Sequence, residues 1–250
     1  MFGVFLKNNT LDIVIPVYNE GDGIIATLIS LKKDLKCSFR ILICYDFEGD
    51  STISAIRNAN ISDLNIDFVL NRNRGAHGAV ITGFKASTAD YILVFPADDD
   101  YNAKMLNTML ELGQSGADIV CASRFMSGGC MVNCPLLKQI LVRLAAASLF
   151  WLGRIPTHDP TNGFRLFSRR VIQDILIEST TGFTYSLELL AKCHRLGWKI
   201  KETPAAWYER TSGKSQFQVL NWVPAYLRWY FYIFSTTWLK KSPKTVALLR

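Results

Sequence analysis

The sequence predicts an α/β protein with a mostly parallel central sheet flanked by helices, and three observations predict it. Apolar, β-branched segments of strand length alternate with helix-spaced segments from residue 11 to about residue 125. Hydrophobic residues make up 49% of the 250, enough for a sizeable core. Charged groups gather directly after the apolar segments, at Asp46, at Asp98, Asp99 and Asp100, and at Arg124. Sheets of this kind bind ligands outside the carboxyl ends of their strands.

Each element has its own signal. "LDIVIPVY" (11–18) is apolar, β-branched and closed by turn residues, a buried strand. Helical spacing through Ile24, Ile25, Leu28 and Leu31 predicts a helix over 21–36. "RILICYD" (40–46) is the second strand, followed by a short helix opening at Ser51 or Thr52. "IDFVLN" (66–71) is the third. The helix over 76–88 carries small residues that permit close packing. "DYILVFPA" (90–97) is the fourth strand, a helix covers 103–116, and "ADIVCASRF" (117–125) is the fifth strand. Beyond it come a basic-apolar helix (135–152), the turn-rich "THDPTNGFRLF", helices at 169–177 and 184–196, and one strand in "WKIKETPAAWYER". The right-handed crossover rule makes the first half a parallel sheet.

Composition narrows the class. Charged residues are 20%, too few for a disordered chain. The formal charge is +7, which suits nucleic acid, a phosphorylated substrate or an anionic membrane surface. The basic residues are scattered and no basic-aromatic motif interleaves them, so nucleic acid is not expected as a partner. Most of the six cysteines lie in apolar runs, as reduced and buried thiols do. Cys130 and Cys134 lack a second Cys/His pair, so no zinc site is expected. "MFGVFLKNNT" is too short for a secretory signal, and no run reaches the ~18–20 apolar residues of a spanning helix.

The stretch "YILVFPADDDYN" (91–102) runs a buried segment into three adjacent carboxylates. A strand end with clustered Asp residues can hold a hard divalent cation, with phosphate oxygens filling the remaining positions. The plain alternative is a solvated acidic turn at the start of the next helix.

Six blocks in order carry a resemblance. "VIPVYNE" (14–20), "YDFEGDST" (45–52), "NRGAHGAVITGFKASTADYILVFPADDD" (73–100), "ASRFMSGG" (122–129), "DPTNGFRLFSRRV" (159–171) and "GWKIKETPAAWYERTSGKS" (197–215) resemble family 2 glycosyltransferases of the Rossmann-like GT-A fold. The nearest likeness is to the dolichol-phosphate mannose synthase, or polyprenyl-phosphate glycosyltransferase, branch. The likeness implies a Mg²⁺- or Mn²⁺-dependent, inverting transfer from a nucleotide-diphosphate sugar. It also implies Pro16, Tyr18 and Glu20 as nucleoside contacts, Asp46 on base or ribose, and Asp98 as the second Asp of the metal-binding Asp-x-Asp. Two departures stand out. Tyr45 replaces the first Asp of the nucleotide turn. Pro96 replaces the first Asp of Asp-x-Asp, so Asp99 or Asp100 must complete the metal set.

The other candidates each have a plain alternative. Arg74 enters a helix from a glycine-flanked loop and can meet phosphate, or face solvent. Arg124 can grip diphosphate or acceptor phosphate, or make a structural salt bridge. Arg210 and Lys214, on a Ser/Gly-rich loop, can stabilise the departing diphosphate. Asp159 and Asn162 orient sugar or acceptor, or simply form a turn. His77 is expected at the surface. A sugar-hydroxyl acceptor needs a general base, whereas a phosphate is already an anion. Glu188 is the nearest base candidate, but it pairs in register with Lys192 on a helix. That absence favours a lipid phosphate acceptor.

The expected organisation is a glycosyltransferase domain over 1–216 and an amphipathic aromatic and basic segment over 217–250. Its Trp222, Trp229, Tyr230, Tyr232 and Trp238 suit a membrane interface, or a core helix or dimer surface. "AYLRW" (225–229) lacks the Gln of processive enzymes, which argues against a polysaccharide synthase. The expected location is cytoplasmic, peripheral at the cytoplasmic face of a membrane. Transfer to a saccharide hydroxyl, or a degenerate non-catalytic nucleotide-sugar binder, are the rival readings.

Overall fold

The computed structural model of the chain describes residues 10–59, 61, 63–208 and 219–249. The first half alternates as the sequence predicts: β1 (Leu11–Pro16), α1 (Gly23–Asp34), β2 (Phe39–Tyr45), α2 (Ser51–Asn58), β3 (Ile66–Leu70), α3 (Gly75–Ala86), β4 (Tyr91–Val94), α4 (Met105–Gln114) and β5 (Ile119–Ser123). The second half holds β6 (Cys130–Val132), α5 (Leu136–Trp151), β7 (Arg165–Ser168), α6 (Arg169–Asp174), α7 (Thr184–Leu196), β8 (Ile200–Pro204), β9 (Ala206–Tyr208) and α8 (Val219–Trp238).

Among the described residues the main sheet runs β3-β2-β1-β4-β7-β5-β8. Its pairings are parallel except those of β7, which is antiparallel to both β4 and β5. The turn-rich reading of 157–167 missed β7. Four residues are too short to show a strand period, and only the slot between β4 and β5 makes them one. The single strand expected over 198–210 is two. The chain leaves the main sheet at Pro204, Ala205 donates its N–H to Ser123 O (2.9 Å), and β9 pairs with β6 instead.

The sheet separates two cores. One packs Leu11, Ile13 and Ile15 of β1 against Ile24, Leu28 and Leu31 of α1 and Leu106 and Met109 of α4. The other packs Val14 and Leu42 against α3, and Phe167 against Tyr185 and Leu189 of α7 and Trp229 and Ile233 of α8. The small residues of α3 do permit close approach: a Cβ at Gly83 would lie 2.4 Å from Val14 Cγ1. All six cysteines are free, with Cys44, Cys121 and Cys193 buried.

The C-terminal helix is amphipathic: it takes the core-helix alternative on one face and leaves Leu227, Phe231 and Trp238 exposed on the other. Trp229 and Ile233 are buried against α7. Arg195 of α7 donates to Tyr232 O and to Ser235 Oγ on α8. It is α5 that turns an apolar ridge outward, with Leu136 and Leu137 71% exposed and Leu144 63%. No helix among the described residues is long and apolar enough to cross a membrane.

Candidate active site

Parallel register sets several strand ends on one rim. β1 lies between β2 and β4, with Pro16 opposite Cys44 and Val14 opposite Val94. Asp46 therefore emerges two residues past Cys44, and the Asp98–Asp100 turn just past Val94. Through β7, Leu93 is level with Leu166 and Leu166 with Val120, which brings Arg124 out on the same side.

The β1 end is built around a buried carboxylate that sequence reasoning did not single out. Asp50 accepts from Thr52 N (2.9 Å) as the cap of α2 and from Asn19 N (3.0 Å) on the loop after β1. Thr52 Oγ1 accepts from Glu20 N (3.0 Å). These bonds hold the Tyr18–Glu20 loop against the Asp46 turn. Tyr18, 53% exposed, stands edge-on to Phe47 with ring centroids 5.7 Å apart. The only sequence signal for Asp50 was its capping position before "STIS".

Asp46 is fully engaged. Its oxygens accept from Asn71 Nδ2 and from Gly75 N, both at 2.7 Å. Asn71, completely buried, also accepts from Asn73 N and Thr82 Oγ1. Asp46 thus anchors the start of α3. Arg74, at φ 50° and ψ 153°, holds a backbone conformation that side chains other than hydrogen rarely adopt. It lines a cavity of about 260 Å³ with Asn73, His77, Gly78, Ile81 and Thr180. His77 is not a surface residue. It is half-buried beside Tyr185, its Nδ1 finds no hydrogen-bond partner among the described residues, and burial pushes its pKa down.

The three adjacent aspartates divide. Asp98 and Asp100 are exposed, whereas Asp99 is 5% exposed and turned inward. Asp99 accepts from Tyr101 N (3.3 Å), Asn102 N (2.9 Å) and Asn102 Nδ2 (2.7 Å). Burial raises its pKa despite these bonds. Asp99 thus serves the turn from inside, whereas Asp98 and Asp100 face outward. Among the described residues no three His, Cys, Asp or Glu side chains form a metal-holding group. Two exposed carboxylates still fit Mg²⁺ or Mn²⁺, which take one or two protein carboxylates and complete their shell with phosphate and water.

The structural salt bridge is what Arg124 makes. Its Nε and Nη2 reach Asp159 at 2.6 and 2.9 Å, and its own N–H donates to Asp159 Oδ2 (3.0 Å). Asp159 is completely buried. Burial pushes its pKa up, but the Arg124 guanidinium outweighs that and holds it below the usual value. Asp159 thus anchors Arg124 rather than meeting a sugar. Asn162 donates to Ala122 O (3.0 Å) and accepts from Phe164 N (3.2 Å), which fixes its turn. Glu188 and Lys192 are completely buried and paired at 2.7 Å, with Lys192 also on Glu178. Glu188 also accepts from Glu178 N and Ser179 N. It is a core tie and not a base at the rim. Arg210 and Lys214 lie outside the described residues.

The sequence profile of Glycosyl transferase family 2 matches residues 12–176. A polyprenol monophosphomannose synthase of Mycolicibacterium smegmatis is 26% identical over 218 residues, 84% of this chain and 81% of the relative. A dolichol-phosphate mannosyltransferase of Pyrococcus furiosus is 24% identical over 233 residues, 88% of this chain. The chain spans 64% of that relative's length. Among solved structures, glucosyl-3-phosphoglycerate synthase of Mycobacterium tuberculosis with Mn²⁺, UDP and glucosyl-3-phosphoglycerate superposes with a TM-score of 0.60 at 16% identity. The match covers 91% of this chain and 79% of that one. The same enzyme with Mg²⁺ and UDP gives 0.58 at 16% identity, over 91% of this chain and 79% of that one. Identities this low speak for the fold alone.

Proposed function

The chain belongs to glycosyl transferase family 2, and from that premise we propose that it transfers a sugar from a nucleoside-diphosphate sugar to a polyprenyl- or dolichyl-phosphate lipid, with inversion. One observation carries the choice of acceptor. Glu188, the second-half carboxylate that the sequence offers as a base, is sealed in a buried ion pair, and so is Asp159. A hydroxyl acceptor needs a base; a lipid phosphate does not. The names of the two curated relatives support the same acceptor.

A phosphate oxygen attacks the anomeric carbon in line, and the bond from that carbon to the diphosphate oxygen breaks. The nucleoside diphosphate leaves with the electron pair. The chemistry that a divalent cation would supply there is neutralisation of the diphosphate, which would improve the leaving group. Asp98 and Asp100 are the residues that would hold that cation. Pro16, Tyr18 and Glu20 line the nucleoside side, with Asp46 anchoring the loop that presents Arg74. Arg124, fixed by Asp159, stands beyond them on the rim. Arg210 and Lys214 supply further cations for the leaving group.

The surface supports a lipid acceptor too. The outward ridge of α5 continues into Trp151, 73% exposed, and Leu152. Trp238 of α8 donates from its indole to Leu152 O (3.0 Å), which joins Trp238 and Leu239 to the same patch. No Asp or Glu occurs between Asp118 and Asp159 or after Glu209, whereas Lys138, Arg143, Arg154, Lys240 and Lys241 do. A second copy would set like charges against like. An anionic bilayer at the cytoplasmic face meets both the apolar ridge and its basic rim.

Incubating labelled nucleotide sugars with undecaprenyl phosphate and with saccharide acceptors tests the reading. Lipid-borne label is expected, and label confined to saccharides would reject it.

A further inference from the structure

The turn after β4 is fastened from the inside. Asn102, 7% exposed, uses its side-chain amide as a strand would use its backbone. Its Nδ2 donates to Ala206 O (2.9 Å) and its Oδ1 accepts from Ala206 N (3.2 Å). The same Nδ2 donates to Asp99 Oδ2 (2.7 Å). Strand β9 is thus paired with β6 on one edge and with a single side chain on the other. Next to Ala206, Ala205 donates to Ser123 O, directly before Arg124. Outside this clamp, Tyr101 and Tyr208 meet edge-on with centroids 4.7 Å apart. On the opposite side, Thr27 of α1 donates to Ala97 O (2.8 Å).

We propose that Asp99 and Asn102 are positioning residues: they lock the carboxylate turn to β9, and so fix where the exposed carboxylates of Asp98 and Asp100 meet a cation bound to a nucleoside diphosphate. This rests on the glycosyl-transfer reading of the rim. The physical reason is geometric. Mg²⁺-type cations demand near-ideal coordination angles, and a misplacement of about 1 Å at such a site costs on the order of 10²-fold. A solvated acidic turn would not hold that tolerance. Asp99 accepting three donors, and Asn102 pairing both backbone groups of Ala206, leave the turn no alternative register.

The test measures Mn²⁺ binding to the full chain by electron paramagnetic resonance, with UDP and in parallel with GDP. The variants are Asp98→Asn, Asn102→Ala, Asn102→Asp and the exchange Asp99→Asn/Asn102→Asp. Melting temperature is followed beside it, as is turnover of GDP-mannose or UDP-glucose, whichever the wild type uses. Asn102→Ala is expected to raise the Mn²⁺ Kd about tenfold. At saturating Mn²⁺ it lowers kcat ten- to hundredfold and leaves donor KM within about threefold. Asn102→Asp, which sets two carboxylates face to face, is worse. The exchange variant keeps one carboxylate facing one amide but has no donor for Ala206 O, so it removes only the extra loss of Asn102→Asp and behaves like Asn102→Ala.

Unchanged Mn²⁺ affinity and kcat in Asn102→Ala would overturn the proposal. So would an exchange variant no better in Mn²⁺ binding than Asn102→Asp, because the carboxylate at 99 would then be needed for more than its contact with residue 102. The near-isosteric Asn102→Asp and exchange variants carry the test if Asn102→Ala fails to fold. A wild type without nucleotide-dependent Mn²⁺ binding also overturns it. Failure of the acceptor reading looks different: these metal effects persist while no lipid product forms.

Discussion

At the residue scale, buried charges decide more here than exposed ones. Arg124 and Asp159 are a pair whose partners depend on each other, and removing one leaves an uncompensated charge out of water. Asp159→Ala is expected to destabilise the fold by about 3–5 kcal/mol, measured by urea unfolding. Because Asp159 is held below its ordinary value of 3.8, its contribution is complete above that pH. It is lost only as acid carries the pH down through the lowered folded value. Asp99 has the opposite sign. Burial raises its pKa above 3.8, so its contribution is fully present below that value and is lost as pH rises through the raised one. Wild type should therefore lose stability relative to Asp99→Asn over that window; parallel curves for the two proteins would contradict the shift. The same inward turn separates Asp99 from Asp98 and Asp100, which "DDD" in sequence presents as equivalent. Side-chain direction in a turn is set by the bonds available to it, and those came from Asn102 and Tyr101.

At the element scale, close approach and inverted amphipathicity are the informative features. Gly83 puts α3 on Val14 with no room for a methyl group. Gly83→Ala gains about 1 kcal/mol of helix propensity, yet overpacking costs about 1–3 kcal/mol. The clash at 2.4 Å decides the sign, and a melting temperature lower by a few degrees is the expected result. Helix α5 was legible as a basic-apolar helix, and its limits agree within a residue. Its orientation was not legible, because a ridge of leucines reads the same whether it faces a core or a bilayer. Ala146 and Leu149 are buried while Leu137, Leu141 and Leu144 are exposed. Leu137→Glu/Leu141→Glu/Leu144→Glu should leave the melting temperature within a degree or two. It should also abolish flotation with anionic vesicles. Retained flotation would remove α5 as the docking element.

For the whole molecule, one rim gathers groups from the ends of β1, β2, β4 and β5, and in the proposed function the donor binds across them. A nucleoside-diphosphate sugar that fits should raise the melting temperature by mass action, at about 2.7 kcal/mol when present at a hundred times its Kd. The shift should be larger with Mn²⁺ than without it, and Asp98→Ala should erase that difference. An equal shift in both proteins would separate the carboxylates from the donor.

Sequence alone determined the alternation of β1 to β5 with their helices, because buried parallel strands and their covering helices carry periods that survive without context. It also determined which charged residues follow those strands, and the family that their order resembles. Tertiary structure decided what depends on partners distant in the chain. It inserted four residues as β7, split β8 from β9 at Pro204, and committed Arg124 to Asp159 and Asp99 to Asn102. It also set Trp229 and Ile233 of α8 in the core and the leucine ridge of α5 at the surface. A period is a local property and can be read along a chain. Which hydrogen bonds a buried carboxylate accepts, and which face of a helix is covered, are settled only when segments far apart in sequence compete for the same space.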